Sequence, residues 1–329
     1  MVSTEKKEGW VAPVKPPQVM KFFQLDAVQK EEVKWLWYPY IPAGKLSLLE
    51  GDPGQGKSWI TCSLAADISQ GRPLPGQKQA MPPQKVLMLS AEDGLGDTVR
   101  PRIEAMDGNL ANIFVSDAFF TLDKEGIGSM VDAMRKTAAT IVFLDPIVAY
   151  LGGKLDMHKA NEVRQVMAAL GEAARETGSA IVAVRHLRKA QGSKAIYQGI
   201  GSIDFTAAAR SVLQVMETKG GTKYMYHAKH NLTPKGDSIA YRLEGDKFIW
   251  EGILDETTEE NQPVNRKSKA VANAERFLLD TLKDGPVAAS DLHERAGLAG
   301  ISIQSINRAK MGIAYSKKTA DGWAWFLDR

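Results

Sequence analysis

Cysteine is almost absent from this sequence, and histidine is rare. Cys62 is the single cysteine among 329 residues, and five histidines are present. One cysteine forms neither an internal disulfide nor a multi-cysteine zinc site, and only His227 and His230 lie close together, without further ligands nearby. We therefore expect no structural metal.

Long apolar runs are missing as well. No segment approaches the roughly 18 apolar residues of a membrane span, and the opening MVSTEKKEGW lacks the apolar stretch of a signal peptide. These absences predict a cytoplasmic protein with no membrane partner.

A strong charge of either sign is also missing. Lys and Arg number 42 against 39 Asp and Glu, a net charge of +3, which excludes a uniformly basic nucleic-acid-binding surface. With 44% hydrophobic and 25% charged residues, the composition is that of a folded globular protein and excludes collagen-like and wholly disordered classes. The length predicts two domains.

The pattern along the chain predicts four segments. Residues 1–33 combine lysines and prolines with a short apolar patch, which indicates a flexible arm. Residues 34–254 alternate fully apolar runs with helical stretches and predict an α/β domain with a mostly parallel sheet and antiparallel edge strands. Residues 255–269 change from acidic to basic and predict a linker. Residues 270–329 predict a small winged helix-turn-helix domain.

The winged-helix prediction rests on three short helices followed by a hairpin. Ala274, Leu278 and Leu282 share one face of the first helix. Ser290 is the predicted N-cap of the second helix. The ending AYSKKTADGWAWFLDR predicts two short strands.

The strongest motif is a complete G-x-x-x-x-G-K-[ST], directly after the apolar run KLSLLE and at the start of a predicted helix. Its glycines let backbone N–H groups surround phosphates, its lysine reaches the β/γ oxygens, and its serine supplies a hydroxyl to Mg²⁺. A glycine turn formed by chance does not account for the strand and helix on either side. We therefore predict binding of ATP and Mg²⁺ by the P-loop residues Gly51, Asp52, Pro53, Gly54, Gln55, Gly56, Lys57 and Ser58.

Acidic residues follow two later apolar runs. TIVFLD ends at Asp145, the expected Walker B residue that helps to hold magnesium. KVLMLS is followed by Glu92 and Asp93, and the carboxyl edge of a parallel sheet opens onto the crevice of the P-loop. Glu92 is therefore the predicted catalytic base, and Asp93 a neighbour that helps to position magnesium or water. The alternative is a solvated acidic loop.

The ordered set of motifs resembles the RecA-type ATPases. It is most similar to the hexameric replicative helicases typified by plasmid RepA and by DnaB-like enzymes of phages and mobile elements. WLWYPYIPAGKLSLLEGDPGQGKS, SAEDGLGDTVRPRI and LDPIVAYLG carry the likeness. The resemblance implies a RecA-like P-loop NTPase core and an ATP-dependent, ring-forming DNA helicase or single-stranded DNA translocase. It would act in replication of a phage, plasmid or other mobile element.

The resemblance also implies roles for two residues beyond the P-loop. His186, at the end of AIVAVRH, would sense the γ-phosphate, and Arg210 would be an arginine finger inserted into the neighbouring subunit's site. The alternatives are a hydrogen-bonded strand-end histidine and an arginine in an ordinary ion pair. Lys229 occupies the position from which related enzymes project a second cation into the neighbouring subunit's site. A finger in trans requires an assembly, so a homo-oligomer, a hexamer, is expected.

A basic segment over residues 185–194 follows the sensor position. The resemblance puts it in the central channel of a ring, where Arg188, Lys189 and Lys194 would follow the backbone of single-stranded DNA. A solvated charged loop is the alternative.

A second basic patch lies in the tail. Residues 263–329 carry 11 basic and 7 acidic residues. Arg308 and Lys310 on the third helix, with Lys317 and Lys318 on the wing, are the expected contacts to duplex DNA. Many winged helices bind proteins instead.

Two other functions remain open. One is a recombinase-like or regulatory ATPase that binds DNA without unwinding it. The other is a nucleotide-gated transcriptional regulator that acts through the winged helix.

Overall fold

The computed structural model describes residues 22–116, 120–153, 157, 159–187, 204–255, 257–258, 269–310, 313–319 and 322–328. The chain divides into two units, residues 1–33 and 34–329. The described part of the first unit contains a 3-10 turn, Leu25–Ala27, and exposes Phe22, Phe23 and Leu25. Of the predicted linker, residues 255–269, the structure describes only residues 255, 257, 258 and 269.

The second unit is built on a large mixed sheet that follows a short antiparallel ribbon. The ribbon consists of β1 (Trp35–Trp37) and β2 (Ile41–Pro42). The strands of the sheet are β3 (Leu46–Gly51), β4 (Val86–Ser90), β5 (Ile113–Val115), β6 (Ile141–Asp145), β7 (Ala180–His186), β8 (Ser211–Glu217), β9 (Lys223–His230), β10 (Ile239–Glu244) and β11 (Lys247–Ile253).

The spatial order of the strands is β11-β10-β9-β8-β3-β7-β6-β4-β5. Strands β8 to β5 in this order run parallel, and β9, β10 and β11 continue the sheet with antiparallel pairing. The predicted α/β class, with a mostly parallel sheet and antiparallel edge strands, is confirmed. Strand β3 lies in the middle, between β7 and β8, and its carboxyl end leads into the P-loop.

Helices cover both faces of this sheet. They are α1 (Lys57–Gln70), α2 (Arg100–Ala105), α3 (Lys124–Thr137), α4 (Ala160–Thr177) and α5 (Asp204–Ala208). Successive side chains of a strand point to opposite faces, so Leu49 and Val182 join a core with α1, whereas Leu48 and Ala183 join a core with α3, α4 and α5. Burial on both faces explains the uninterrupted apolar runs.

The tail forms its own hydrophobic cluster. Its described elements are α6 (Lys269–Leu282), β12 (Val287–Ala288), α7 (Ala289–Leu298), α8 (Ile303–Ala309), β13 (Ala314–Thr319) and β14 (Gly322–Leu327). The strands pair antiparallel in the order β12-β14-β13, and Ala274, Leu278 and Leu282 are buried. The winged-helix assignment stays a prediction. The predicted cap is wrong, because α7 begins at Ala289 and Ser290 lies inside it.

In the part of the chain that the structure describes, no helix is long and apolar enough to cross a membrane.

Candidate active site

The P-loop connects β3 to α1 and requires glycine at particular positions. Gly54 and Gly56 have φ angles of 77° and 89°, a left-handed conformation that disfavours residues with a Cβ. A Cβ on Gly51 would lie 2.9 Å from the Cβ of Val215 on β8. The predicted loop therefore folds into a tight turn at the start of α1.

Lys57 is buried at the first turn of α1. Its Nζ donates hydrogen bonds to the carbonyl oxygens of Gly51, at 2.9 Å, and Asp52, at 2.8 Å. Burial lowers the pKa of Lys57 to about 8, against the opposing attraction of Asp145, Asp52 and Glu92. Its amine thus sits at the mouth of the loop, where phosphate oxygens would replace the carbonyls.

Ser58 and Asp145 meet at the carboxyl ends of β3 and β6. The Ser58 hydroxyl forms a hydrogen bond with Asp145, and Thr61 Oγ1 donates to Asp145 Oδ2 at 3.4 Å. Burial raises the pKa of Asp145 to about 6, and the negative charge of Asp93 adds to this. Hydroxyl and carboxylate oxygens are the ligands that Mg²⁺ accepts, so this pair fits the ion.

A metal site formed by protein alone is not present among the described residues, where no group of three or more His, Cys, Asp or Glu side chains comes together. Mg²⁺ in phosphate-transfer sites is commonly held by one or two carboxylates together with the phosphates of the substrate. Ser58 and Asp145 would therefore hold the ion with ATP rather than without it.

Glu92 lies just after β4 and faces His186 at the end of β7. Glu92 Oε2 is 3.7 Å from His186 Nε2, and 60% of the Glu92 side chain is exposed. Burial and the nearby charge of Lys57 lower the pKa of His186, while Glu92 opposes them. The His186 Nδ1 atom is buried and has no hydrogen-bond partner among the described residues. A neutral histidine therefore stands beside a solvent-accessible carboxylate.

Asp93 lies on the same wall as Ser58 and Asp145, and its carboxylate is paired. Asp93 Oδ2 is 2.7 Å from Nη1 of Arg102 on α2, and the Arg102 guanidinium stacks 4.6 Å from the ring centre of Trp59. Sequence reasoning gave no role to Arg102 or Trp59, although SAEDGLGDTVRPRI contains the arginine. Asp93 therefore lies in the site as one partner of an ion pair with Arg102.

The sequence of residues 13–192 matches the model of a protein family described as an AAA domain. This match covers more than half of the chain and includes the P-loop, Glu92, Asp145 and His186. The chain belongs to the AAA domain family. It is therefore a P-loop ATPase, an enzyme that binds nucleotide, usually with Mg²⁺. A search of curated proteins finds no match.

Arg185, the first residue of the segment that was predicted to line the channel of this AAA domain protein, is buried and not exposed to a channel. Only 1% of the Arg185 side chain is exposed, and its guanidinium pairs with Glu50, whose side chain is wholly buried. Burial raises the pKa of Glu50, and the charge of Arg185 opposes the rise. Arg185 therefore does not contact DNA from this position, and the basic segment begins later than the sequence suggested.

The antiparallel edge strands support the P-loop of the AAA domain from the side. The Tyr241 hydroxyl, on β10, donates a hydrogen bond to the Gln55 carbonyl. A Cβ on Gly56 would lie 3.4 Å from Leu243 and 3.5 Å from the Tyr241 ring. Sequence reasoning missed this contact, because the residues are far apart in the chain.

Arg210 lies at the opposite edge of the sheet from the P-loop of its own AAA domain. Its backbone N–H donates to the Leu46 carbonyl at the start of β3, whereas Gly51 pairs with Val215 at the other end of β8. The separation along the strand is about 16 Å at roughly 3.3 Å per residue, farther than an arginine side chain extends. The side chain is exposed.

Lys229, the other expected trans cation of this AAA domain protein, is occupied locally. Its Nζ donates to the carbonyl oxygens of Thr206, Ala207 and Ala209 at 2.8–2.9 Å. It therefore binds the end of helix α5, next to Arg210.

The expected DNA contacts of the AAA domain protein are described only in part. Arg188, Lys189 and Lys194 lie outside the described residues. In the tail, Lys317 and Lys318 are exposed on β13.

Two further tail residues belong to or follow α8. Arg308 lies within the helix, and Lys310 comes directly after it. The Lys310 Nζ is 5.5 Å from the centre of the Trp325 ring, so this cation packs against the tail's own core.

Proposed function

We propose that this AAA domain protein is an ATP-dependent, ring-forming DNA helicase or single-stranded DNA translocase that acts in replication of a phage, plasmid or other mobile element. The observation that carries the proposal is the contact between Glu92 and His186. It joins the candidate base to the end of β7, and the basic residues Arg188, Lys189 and Lys194 follow within eight positions. The candidate base thus contacts the last residue of β7, and the candidate DNA contacts follow that residue in the sequence.

The chain's own residues would divide the chemical work. Lys57 and the backbone N–H groups of the P-loop bind the β- and γ-phosphates. Mg²⁺, when bound at Ser58 and Asp145, would neutralise charge on the transferred phosphoryl group. Glu92 accepts a proton from the attacking water, and its exposure leaves room for that water.

His186 would report the outcome of hydrolysis. A neutral imidazole beside Glu92 can donate to the γ-phosphate from one ring nitrogen. Because a neutral imidazole has a single N–H, loss of that phosphate would return this donor to Glu92. The end of β7, which leads to residues 188–194, would then change position between the two nucleotide states.

The position of Arg210 supports a multi-subunit assembly. Because it lies at the sheet edge opposite its own P-loop, its exposed guanidinium is available to a second copy of the chain. An arginine finger contributes about 10³- to 10⁵-fold to turnover by neutralising charge on the transferred phosphoryl group. A closed ring, which we propose to be a hexamer, gives every site such an arginine.

The experiment that tests the motor is ATP turnover with and without single-stranded DNA, for the unsubstituted chain and for Glu92→Gln. We expect DNA to stimulate turnover and Glu92→Gln to lower it about 10²- to 10⁴-fold while nucleotide still binds. Glu104→Gln is the matched control, because this exposed glutamate pairs with Arg100 on α2. An ATP turnover rate that is the same with and without single-stranded DNA would show that the motor assignment is wrong.

Unwinding is a separate measurement. A forked duplex is separated by a helicase but not by a regulatory or recombinase-like ATPase, so ATP-dependent strand separation distinguishes the proposal from its alternative. DNA-stimulated turnover that leaves the fork intact would fit either a translocase or the recombinase-like alternative.

The salt dependence of DNA binding tests the two basic patches. Replacing Arg188, Lys189 and Lys194 by alanine should reduce the slope of log affinity against log salt by up to about one unit for each phosphate that is no longer bound. The same measurement on Lys317→Ala and Lys318→Ala, with duplex DNA, tests the winged helix. An unchanged slope in these two variants would count against contact between the tail and duplex DNA and would favour a protein partner.

A further inference from the structure

Helix α5 is a single short element between β7 and β8. It has five residues, Asp204–Ala208, and Arg210 follows two positions after its end. A helix of this length has no stability of its own, so its position depends on the contacts that it makes. Among the described residues, basic side chains from α4, β7 and β9 bind it.

The first clamp holds the start of α5. Nε and Nη2 of Arg164, on α4, lie 3.1 and 2.6 Å from Oδ1 of Asp204. The carboxylate is almost wholly buried. This ion pair fixes the first turn of α5 to α4.

The second clamp comes from the sheet. The guanidinium of Arg185 donates to Thr206 Oγ1 at 2.9 Å and lies 4.8 Å from the ring centre of Phe205. The same Nη2 pairs with Glu50, the residue directly before the P-loop. Arg185 thus binds both β3, the strand that leads into the P-loop, and α5, the helix that precedes Arg210.

The third clamp holds the end of α5. Lys229, on β9, donates to three carbonyl oxygens there, and its pKa is lowered by burial and by the charge of Arg210. A cation at a helix C-terminus is favourable because the terminal carbonyls lack partners within the helix. Lys229 and Arg210 are therefore close neighbours.

We infer that Arg185 is a positioning residue, which ties helix α5, and through it Arg210, to the strand that carries the P-loop. The inference rests on the proposed role of Arg210 in a neighbouring subunit's site. The Arg210 backbone already bonds directly to Leu46 on that strand, so what α5 adds is the placement of the Arg210 side chain that each subunit offers to its neighbour.

A purely structural role would not require this arrangement. Strands β3 and β7 are already hydrogen-bonded neighbours, with Glu50 opposite Arg185. Apolar residues at both positions would hold them together at least as well as a buried ion pair. The bond to Thr206 is what an apolar pair would lack, and the planar guanidinium can serve the carboxylate and the hydroxyl together.

The test removes the bonds of the Thr206 hydroxyl, which accepts from Arg185 at 2.9 Å and also donates to Glu50 Oε1 at 3.4 Å. Thr206→Val keeps the shape of the side chain and the pair between Glu50 and Arg185, and Thr206→Ser keeps the hydroxyl. We expect Thr206→Val to lower kcat for ATP about 10- to 100-fold, the effect of a misplacement near 1 Å, with the nucleotide Kd unchanged. Thr206→Ser should retain nearly full kcat. An unaltered kcat in Thr206→Val would overturn the inference.

A double-mutant cycle identifies the route of the effect. In an Arg210→Ala background, Thr206→Val should have no further effect on kcat, because the positioned group is gone. Independent, multiplying losses would overturn the inference while leaving the arginine finger intact. If Arg210→Ala itself leaves kcat unchanged, the finger assignment falls and the inference with it, so the two failures are distinguishable.

Nucleotide affinity also reports folding. A Thr206→Val chain that binds a fluorescent ATP analogue with unaltered Kd has an intact P-loop. If that chain does not bind, Arg185→Lys serves in its place, since one ammonium keeps the charge beside Glu50 without reaching both partners. The same coupling to Arg210→Ala is expected, and its absence would overturn the inference.

Discussion

The hydroxyl of Tyr241 donates a hydrogen bond to the backbone carbonyl of Gln55 within the P-loop. Tyr241 belongs to β10, one of the antiparallel edge strands, and lies outside the residues that match the AAA domain. Its ring stacks on Phe248 of β11. The edge strands therefore shape the nucleotide loop as well as extending the sheet.

Tyr241→Phe should weaken nucleotide binding with little effect on kcat. Loss of one hydrogen bond worth about 0.5 to 1.5 kcal/mol would raise the Kd for ATP about 2- to 10-fold, because the loop is less well fixed. Titration with a fluorescent nucleotide measures it. Tyr226→Phe, on the adjacent β9, is the control and should bind as before. Equal affinities in all three chains would contradict a supporting role.

Mixing two inactive chains should restore ATP turnover if Arg210 acts in trans. Glu92→Gln lacks the base and Arg210→Ala lacks the finger, yet a mixed ring contains sites with Glu92 from one subunit and Arg210 from the next. Random 1:1 mixing would make roughly one quarter of the sites complete. Each chain measured alone is the control. No recovery on mixing, in oligomers shown to exchange subunits, would argue that each subunit completes its own site.

The buried pair of Glu50 and Arg185 should show a marked asymmetry in stability. Arg185→Met leaves a buried carboxylate without its partner and should lower the free energy of unfolding by about 3 to 5 kcal/mol. Adding Glu50→Leu should recover most of this loss, because the two apolar side chains pack together and leave no buried charge without a partner. Denaturant unfolding of the three chains measures it. A double variant as unstable as the single one would show that the ion pair itself stabilises the fold.

The free energy of unfolding should fall in mild acid because of the titration of His227. Gly236 N–H donates to Nδ1 at 3.1 Å, so the ring proton is on Nε2, which lies 3.0 Å from Ser211 Oγ. Burial, with the charge of His230, lowers the pKa of His227 to about 4. An unfolded histidine has a pKa of about 6.5, so between these values the unfolded chain binds a proton that the folded chain does not.

The stability contributed by neutral His227 is therefore fully present above about pH 6.5 and falls as the pH decreases towards about 4. His227→Gln removes this titration. We expect the difference in unfolding free energy between the unsubstituted chain and the variant to shrink from pH 7.5 to pH 5. Thermal or denaturant unfolding at both pH values measures it, and a constant difference would contradict the lowered pKa.

The sequence by itself determined the features that local pattern encodes. The P-loop is contiguous, from Gly51 to Ser58, and its glycines, lysine and serine are required by the turn that they form. Apolar runs predicted the parallel sheet, and the carboxyl edge of such a sheet gathers the residues that follow its strands, which is why Glu92 and Asp145 were predicted to lie near the P-loop. These inferences needed strand direction alone.

Tertiary structure decided which side chains at that edge meet. The basic segment over residues 185–194 did not indicate that Arg185 points into the core towards Glu50 while His186 faces Glu92. Which face each side chain takes depends on the side chains that the neighbouring strands present. The pairing of Asp93 with Arg102 likewise depends on where α2 packs.

The contact of Tyr241 with the P-loop was equally hidden. It arises because β8, β9 and β10 place the chain's later residues beside its early ones. Long-range partners follow from strand order and register, which no local segment encodes, and so the sequence specified the parts of the site while the assembled sheet specified their contacts.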